Sequence, residues 1–241
     1  MNSQHYLVKI CGVTNPADAR LVEEVGADFI GALVDVPDSP RNLTLERAMS
    51  VFAAVKIRAV LLTIHPHQSR LVELVGALRP FAVQLLGEES PSEVTRLLEV
   101  GAHIWKSIHM PPRGQPGADA QRLLHEMRQY ADAGVSAFVL DTKATIRNVV
   151  RHGGTGMVHD WEVAAEVVAA SPLPVFLAGG IDPNNVAEAI ERVRPQGLDL
   201  SSGVEAEVGR KDAEKMRRLM AAIRQTEARL GGPPAREGKQ P

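Results

Sequence analysis

Eight short apolar runs alternate with amphipathic stretches along nearly all of the 241-residue chain, and this alternation constrains the fold more than any other feature. Runs such as Phe29–Val34 and Ala59–Leu62 are apolar at successive positions. Such runs are typical of parallel strands that are buried on both faces. The predicted strands are Tyr6–Cys11, Asp28–Val34, Arg58–Thr63, Ala82–Leu86, His103–Ile108, Ala137–Asp141, Val175–Ala178 and Leu198–Ser201.

The segments between these strands space their apolar residues as α-helices do. Eight βα units predict an α/β fold, a single-domain (β/α)8 TIM barrel over residues 1–228. Residues 229–241 have the composition of a disordered C-terminal tail. Helices are predicted over Pro16–Val25, Leu45–Val55, Gln68–Leu78, Ser92–Val100, Ala118–Ala133, Trp161–Ala170, Asn184–Val193 and Asp212–Ala228, with glycine at three helix-to-strand junctions, Gly26, Gly101 and Gly134.

Composition narrows the class of protein. Apolar residues make up 44% and charged residues 23%, and the formal net charge is -2, which does not predict a nucleic-acid partner. One cysteine cannot form an internal disulfide, and the sequence shows neither a signal-like apolar segment nor a run long enough to span a bilayer. We therefore expect a cytoplasmic protein that binds neither nucleic acid nor membrane.

Two strand ends carry candidate acid–base residues, because TIM-barrel active sites lie at the carboxyl ends of the strands. Cys11 ends the first strand, and Lys9 two residues earlier would favour the thiolate unless its side chain points into the barrel. A lone cysteine also serves as a small buried hydrophobe, so a structural role stays open. Asp141 ends the sixth strand, where desolvation would raise its pKa and suit it to donate a proton.

The last two strand-end loops predict an anion site. Gly179 and Gly180 follow the seventh strand, and Ser202 and Gly203 follow the eighth. Loops at these positions of a TIM barrel commonly hold phosphate through backbone N–H groups, although tight turns alone would also explain the glycines. Arg41 follows a Ser-Pro pair, and its guanidinium suits a carboxylate or a phosphate.

Ten short motifs, in order along the barrel, resemble the phosphoribosylanthranilate isomerase family of tryptophan biosynthesis. No single motif is decisive, but the ordered set is specific. The motifs are Lys9-Ile10-Cys11-Gly12, Gly26-Ala27-Asp28, Ser39-Pro40-Arg41, Gln84-Leu85, Leu140-Asp141, Gly153-Gly154-Thr155-Gly156, Asp160-Trp161, Leu177-Ala178-Gly179-Gly180, Asn184-Asn185-Val186 and Asp199-Leu200-Ser201-Ser202-Gly203-Val204-Glu205.

This resemblance implies an Amadori rearrangement of N-(5-phosphoribosyl)anthranilate to 1-(2-carboxyphenylamino)-1-deoxyribulose 5-phosphate. It implies no metal and no organic cofactor. Asp141 would match the general acid and Cys11 the general base. Arg41 would pair with the anthranilate carboxylate, and the two loops with Gly179–Gly180 and Ser202–Gly203 would hold the 5-phosphate.

Three positions depart from the family's pattern. Leu86 stands where the family usually has histidine, Met157 stands where it has lysine, and Ala32-Leu33-Val34-Asp35 stands where the family's second strand has an aromatic-rich end. Asp35 is close to Arg41 in sequence, so it is expected to compete with an anionic substrate. These departures leave open a diverged paralogue with a different phosphosugar ligand, and also a phosphate-ligand binding protein without catalysis.

Four histidines follow predicted strands, and none has a spacing typical of metal ligands. His65, His67, His109 and His159 are expected to be solvated at the surface. The pattern does not separate a monomer from a homodimer, since no long apolar stripe is predicted at the surface.

Overall fold

The structure, a computed structural model, describes residues 5–146, 149–151 and 156–234. Its strands are β1 Leu7–Ile10, β2 Phe29–Val34, β3 Asn42–Leu43, β4 Arg58–Thr63, β5 Ala82–Leu85, β6 His103–Met110, β7 Ala137–Thr142, β8 Ala144–Ile146, β9 Val149–Arg151, β10 Val175–Leu177, β11 Gly197–Leu200, β12 Glu205–Glu207 and β13 Arg210–Lys211. Its helices are α1 Pro16–Glu24, α2 Leu45–Phe52, α3 Gln68–Leu78, α4 Pro91–Leu97, α5 Ala120–Asp132, α6 Trp161–Ala170, α7 Val186–Val193 and α8 Ala213–Leu230, with short 3₁₀ turns over Leu98–Val100 and Ser202–Val204.

Eight parallel strands close into a barrel, which confirms the predicted fold. Their order around the barrel is β1, β2, β4, β5, β6, β7, β10 and β11, and β11 pairs with β1 to close the ring. Each predicted strand and each predicted helix is present, and the largest difference at an end is three residues, at the carboxyl ends of α2 and α4. The short strands β3, β8, β9, β12 and β13 were not predicted, because they form at the barrel mouth outside the βα repeat.

The C-terminal helix passes the predicted domain end. α8 continues through Leu230, whose side chain packs against the apolar core, so residues 229 and 230 are helical. The rest of the predicted tail is described only to residue 234, and residues 235–241 lie outside the described part.

Local chemistry explains where several helices begin and end. Asn15 caps α1 by accepting a hydrogen bond from the Asp18 N–H, and Ser90 forms a capping box at the start of α4. Gly26 and Gly101 adopt the predicted left-handed conformation after their helices, with φ of 82° and 77°. Glycine at these two junctions therefore ends the helical segment and turns the chain toward the next strand.

Aromatic rings fill one part of the barrel interior. Trp105 stacks on Phe176 at a centroid distance of 4.7 Å, and Phe29 lies edge-on to Trp105 at 5.2 Å. Side chains alternate across a strand, so Lys9 faces the interior together with Cys11, two residues closer to the carboxyl end. The interior thus carries polar groups where the strands approach their carboxyl ends. In the part of the chain with a described structure, no helix is both long and apolar enough to cross a bilayer.

Candidate active site

Cys11 lies at the carboxyl end of β1, and its N–H donates to the Leu200 carbonyl oxygen at 2.7 Å. Cys11 is buried, with 9% exposure. Burial raises the pKa of the Cys11 thiol, and this effect outweighs the lowering by Lys9, Lys211 and Arg41. The expected thiolate is therefore not the resting form, because desolvation penalises the charged sulfur more than the nearby cations stabilise it.

Lys9 joins β1 to β11 inside the barrel. It is fully buried, it stands opposite Asp199 in the strand register, and its Nζ donates to Asp199 Oδ2 at 2.8 Å. Burial opposes the ammonium charge, but Asp199 and Cys11 together raise the pKa of Lys9. Both sequence alternatives for Lys9 hold at once, because it points into the barrel and also lowers the pKa of Cys11.

Asp141 lies near the end of β7, opposite His109 in the register. Burial raises its pKa to about 7, and the negative charge of Asp199 adds to this effect. Two interactions oppose the rise: the Thr142 N–H donates to Asp141 Oδ1 at 2.7 Å, and Lys9 contributes a positive charge. Near neutral pH a substantial fraction of this carboxyl is protonated and able to donate.

Arg41 is buried and already has a partner. Its Nε and Nη2 donate to the two carboxylate oxygens of Glu205 at 2.8 and 2.6 Å. Lys211 is also buried, and its Nζ donates to Glu205 Oε1 at 3.0 Å. Gly12 is needed next to Cys11, because a Cβ there would lie 2.5 Å from Arg41 Cδ. The Arg41 side chain therefore packs directly against the backbone of Gly12, the residue that follows Cys11.

Asp35 does not contact the Arg41 guanidinium. Its carboxylate accepts from Arg70 Nε at 2.8 Å and from Nη2 at 3.3 Å. The expected competition between Asp35 and an anionic substrate is therefore wrong. Chain proximity was misleading, since Asp35 takes up a left-handed backbone conformation with φ of 58° and pairs with α3, while Glu205 from the far end of the chain reaches Arg41.

The two glycine loops adjoin one another at the barrel mouth. Gly179 and Gly180 have φ of 80° and 65°, and a Cβ on Gly203 would lie 2.0 Å from the Ile181 carbonyl oxygen. Close packing therefore requires these glycines whether or not a ligand binds. Within the described ranges, the N–H groups of Gly179, Gly180, Ser202 and Gly203 have no protein acceptor. Such a set of N–H donors fits a phosphate.

Two of the four histidines are not at the surface. His65 and His67 are exposed as expected, but His109 is half-buried and its Nε2 lies 2.9 Å from the Leu86 carbonyl oxygen. His159 is fully buried, and its Nδ1 lies 3.0 Å from Thr142 Oγ1. Burial lowers the pKa of His159 to about 4, so its ring is neutral near pH 7.

The departures from the family pattern fall in different environments. Leu86 is buried within the apolar cluster of the barrel interior, whereas Met157 is exposed and its backbone packs against Gly180. Part of the Gly153-Gly154-Thr155-Gly156 motif, residues 153–155, lies outside the described residues. Among the residues whose placement is described, no group of three His, Cys, Asp or Glu side chains could hold a metal ion.

Sequence reasoning missed three residues of the site. Asp199 and Glu205 lie in a motif that was recognised, but no function was assigned to either. Lys211 had no local signal at all, since a lysine before a helix start is ordinary. Their roles depend on contacts that only the closed barrel brings together.

Comparisons with known proteins identify the family. The family model described as N-(5'-phosphoribosyl)anthranilate (PRA) isomerase matches residues 8–222. The N-(5'-phosphoribosyl)anthranilate isomerase of Methanocella arvoryzae is 39% identical over 223 residues, which cover 91% of this chain and 98% of that protein.

Two solved structures share the fold over nearly their whole length. A crystal structure of monomers generated from the dimeric phosphoribosylanthranilate isomerase of Thermotoga maritima is 27% identical, with a TM-score of 0.75 and coverage of 91% and 99% of the two chains. A phosphoribosylanthranilate isomerase in complex with reduced 1-(o-carboxyphenylamino)-1-deoxyribulose 5-phosphate is 26% identical, with a TM-score of 0.74 and the same coverage. The chain belongs to the N-(5'-phosphoribosyl)anthranilate isomerase family, whose members are isomerases of tryptophan biosynthesis.

Proposed function

We propose that Asp141 and Cys11 are the acid and the base with which this isomerase rearranges N-(5'-phosphoribosyl)anthranilate to 1-(2-carboxyphenylamino)-1-deoxyribulose 5-phosphate. One observation carries the assignment. The buried Lys9–Asp199 pair, joined at 2.8 Å, influences the pKa of both Cys11 and Asp141. The charges of one buried ion pair therefore act on both the acid and the base, at a barrel end lined by strand termini.

The first proton transfer opens the sugar ring. Asp141 gives its proton to the ring oxygen as the bond from that oxygen to C1 breaks, and the anthranilate nitrogen forms a double bond to C1. A carboxyl with a pKa of about 7 holds this proton at neutral pH, whereas one at the ordinary value would have lost it. The product is a cationic Schiff base and an Asp141 carboxylate.

The second proton transfer uses the acidity that the Schiff base creates. Cys11 acts in its thiolate form, which is the minor form at rest because burial raises the pKa of the thiol. This thiolate removes the proton from C2, and the C2–H electrons form the C1–C2 double bond while the nitrogen becomes neutral. Cys11 then returns its proton to C1 of the enolamine, and the Asp141 carboxylate takes the proton of the C2 hydroxyl, which gives the ketone. Overall no proton is gained or lost, and acid and base return to their starting states.

Two sets of donors support substrate binding. The N–H groups of Gly179, Gly180, Ser202 and Gly203, which have no acceptor among the described residues, suit the 5-phosphate. Arg41 is the candidate for the anthranilate carboxylate, which would share the guanidinium with Glu205. The bound product analogue of the solved relative supports a small phosphoribosyl ligand for this chain.

Assembly and location stay predictions. The dimeric Thermotoga maritima relative supports a homodimer as one of the two states considered. Light scattering of the purified chain separates a mass near the 26.0 kDa of one chain from twice that value. A cytoplasmic location is consistent with a role in tryptophan biosynthesis and is checked by cell fractionation.

The test is incubation with freshly made phosphoribosylanthranilate, with loss of its fluorescence as the readout. Wild type is expected to turn over, whereas Asp141→Asn and Cys11→Ala each lose at least about a hundredfold, the lower range for losing a general acid or base. A change inside the barrel, such as Gln84→Glu, cannot serve as the control, because the Gln84 side-chain amide donates a buried hydrogen bond to Ser107 Oγ. Arg70→Lys, at the Asp35 pair, is the matched surface control and should retain turnover.

A diverged paralogue is the second candidate, favoured by buried Leu86 at the barrel mouth. It would bind a different aglycone while keeping the same acid and base. Complementation decides between the two: rescue of a tryptophan auxotroph that lacks this isomerase supports the family reaction. Failure to rescue, together with turnover of another phosphoribosylated amine, supports the paralogue.

A further inference from the structure

One carboxylate at the barrel mouth serves two buried cations. Glu205 accepts hydrogen bonds from Arg41 Nε at 2.8 Å, from Arg41 Nη2 at 2.6 Å and from Lys211 Nζ at 3.0 Å. Lys211 Nζ also donates to the Ser201 carbonyl oxygen at 3.3 Å. All three charged side chains are nearly inaccessible to solvent, with 7% exposure or less.

The charges of this cluster do not cancel. Arg41 and Lys211 contribute two positive charges and Glu205 one negative charge, so these three side chains sum to +1. Two further charged side chains bond the backbone of this cluster and have opposite signs: Asp18 accepts the Lys211 N–H at 2.8 Å, and Lys215 Nζ donates to the Glu205 carbonyl oxygen at 2.6 Å. The neighbouring Lys9–Asp199 pair is neutral by the same count. Burying an unbalanced charge is expensive unless an anion completes the group. The proposed reaction supplies two anionic groups here, the substrate carboxylate and the Cys11 thiolate.

We propose that Lys211 is a positioning residue, which shares Glu205 with Arg41 and so leaves the guanidinium enough charge to hold a substrate carboxylate beside Cys11. Without Lys211, the bidentate pair of Arg41 with Glu205 would be neutral, and an incoming carboxylate would meet the negative Glu205 without compensation. This inference rests on the proposed function, in which Cys11 is the base and Arg41 binds the carboxylate.

The same ammonium group acts on the thiol. Four charged groups affect Cys11: Lys9, Lys211 and Arg41 lower its pKa, and Asp199 raises it. Lys9 has the largest lowering effect, and Asp199, its ion-pair partner, opposes it. Lys211 and Arg41, the two cations that share Glu205, lower the pKa of Cys11 further.

Cys11 is the only cysteine of the chain, which makes its ionisation directly measurable. The thiolate absorbs in the far ultraviolet, and Cys11→Ala serves as the blank for every other chromophore. Lys211→Met removes the charge and keeps a similar side-chain volume, while its backbone N–H still bonds Asp18 Oδ2. Lys211→Arg retains the charge and is the matched control.

In Lys211→Met we expect the thiolate fraction at a pH below the Cys11 pKa to fall by about tenfold, which corresponds to about one pKa unit. Turnover should show a several-fold rise in KM for phosphoribosylanthranilate, because the carboxylate is held less well. Lys211→Arg should restore most of both properties. Adding Glu205→Gln to Lys211→Met restores the net charge of +1, so the thiolate fraction should recover.

Several outcomes would overturn the inference. One is a Lys211→Met protein that unfolds as wild type does and has an unchanged Cys11 titration. Another is Lys211→Arg losing as much as Lys211→Met, since this indicates a packing role. If Lys211→Met does not fold, Glu205→Gln alone must raise the thiolate fraction, and no rise refutes the charge argument.

The titration needs no turnover, which keeps the two hypotheses apart. If Cys11→Ala retains normal activity, the proposed function fails, and yet the effect of Lys211 on the thiol is still measured in the wild-type background. If Cys11→Ala is inactive and Lys211→Met leaves the titration and KM unchanged, only the role of Lys211 fails.

Discussion

Replacing Asp141 by asparagine should stabilise the folded protein at neutral and higher pH, relative to wild type, and at the same time abolish most of its turnover. The pKa of this carboxyl is raised by burial from 3.8 to about 7 in the folded protein. Between these values the folded chain holds a proton that the unfolded chain has lost. The carboxyl therefore has no destabilising effect below about pH 4, and its cost grows as the pH rises and levels off above about pH 7.

The magnitude follows from the size of the shift. The difference between 7 and 3.8 is about 3 pKa units, which at about 1.4 kcal/mol per unit gives roughly 4 kcal/mol. At pH 8 nearly all of this cost is present, and at pH 5 less than about 2 kcal/mol of it is. An asparagine does not ionise, and its side-chain oxygen still accepts the Thr142 N–H. The free energy of unfolding of Asp141→Asn minus that of wild type should therefore increase by about 2–3 kcal/mol from pH 5 to pH 8.

Urea unfolding of both proteins at several pH values between 5 and 8 measures this change. The fluorescence of Trp105 and Trp161, both buried, reports unfolding. A constant offset between the two curves reflects packing and is subtracted, so only the pH-dependent part counts. If the gap stays constant, or narrows toward pH 8, the reasoning that burial keeps Asp141 protonated is refuted. In the same samples, turnover by Asp141→Asn should be lower by at least about a hundredfold.

Three further changes test the surroundings of the site. Gly203→Ala places a Cβ 2.0 Å from the Ile181 carbonyl oxygen. We expect the free energy of unfolding to fall by about 1–3 kcal/mol and the KM to rise. If both stay as in wild type, the two loops do not need this close contact. Asp35→Asn removes the ion pair with Arg70, in which the Asp35 side chain is 42% exposed and the Arg70 side chain 36%. Because exposed ion pairs contribute little, the free energy of unfolding should change by less than about 1 kcal/mol and the KM should stay the same. A changed KM would show that Asp35 affects substrate binding. Removing residues 235–241 should leave turnover and unfolding midpoint as in the full chain, and loss of either would give the tail a function.

Most of the fold could be predicted from local sequence. The apolar run Phe29–Val34 is buried at each position, and the helical spacing of Gln68–Leu78 is reproduced in α3 without a shift of either end. Periodicity and junction glycines such as Gly26 depend on neighbouring residues alone, so they are readable before the chain is folded. The helix at the C-terminus was underestimated because its last turn, to Leu230, depends on packing against the core.

The candidate residues and the raised pKa of Asp141 could be predicted from the sequence, but the ion pairs around them could not. Cys11 and Asp141 were identified because parallel strands bring their carboxyl ends to one rim. Arg41 was identified as well, yet its partner Glu205 lies 164 residues away along the chain. Nothing in the local pattern around Arg41 indicates that its guanidinium is already paired, and the nearby Asp35 suggested the wrong competitor.

The sequence by itself determined the eight βα units, the residues at the strand ends and the family, because each of these is written in short segments. Only the tertiary structure decided the ionisation of the site. Lys9 bonds Asp199, 190 residues away along the chain, Lys211 and Arg41 share Glu205, and burial of Cys11 favours the thiol over the thiolate. The physical reason is that a pKa depends on burial and on charges close in space, and barrel closure sets both.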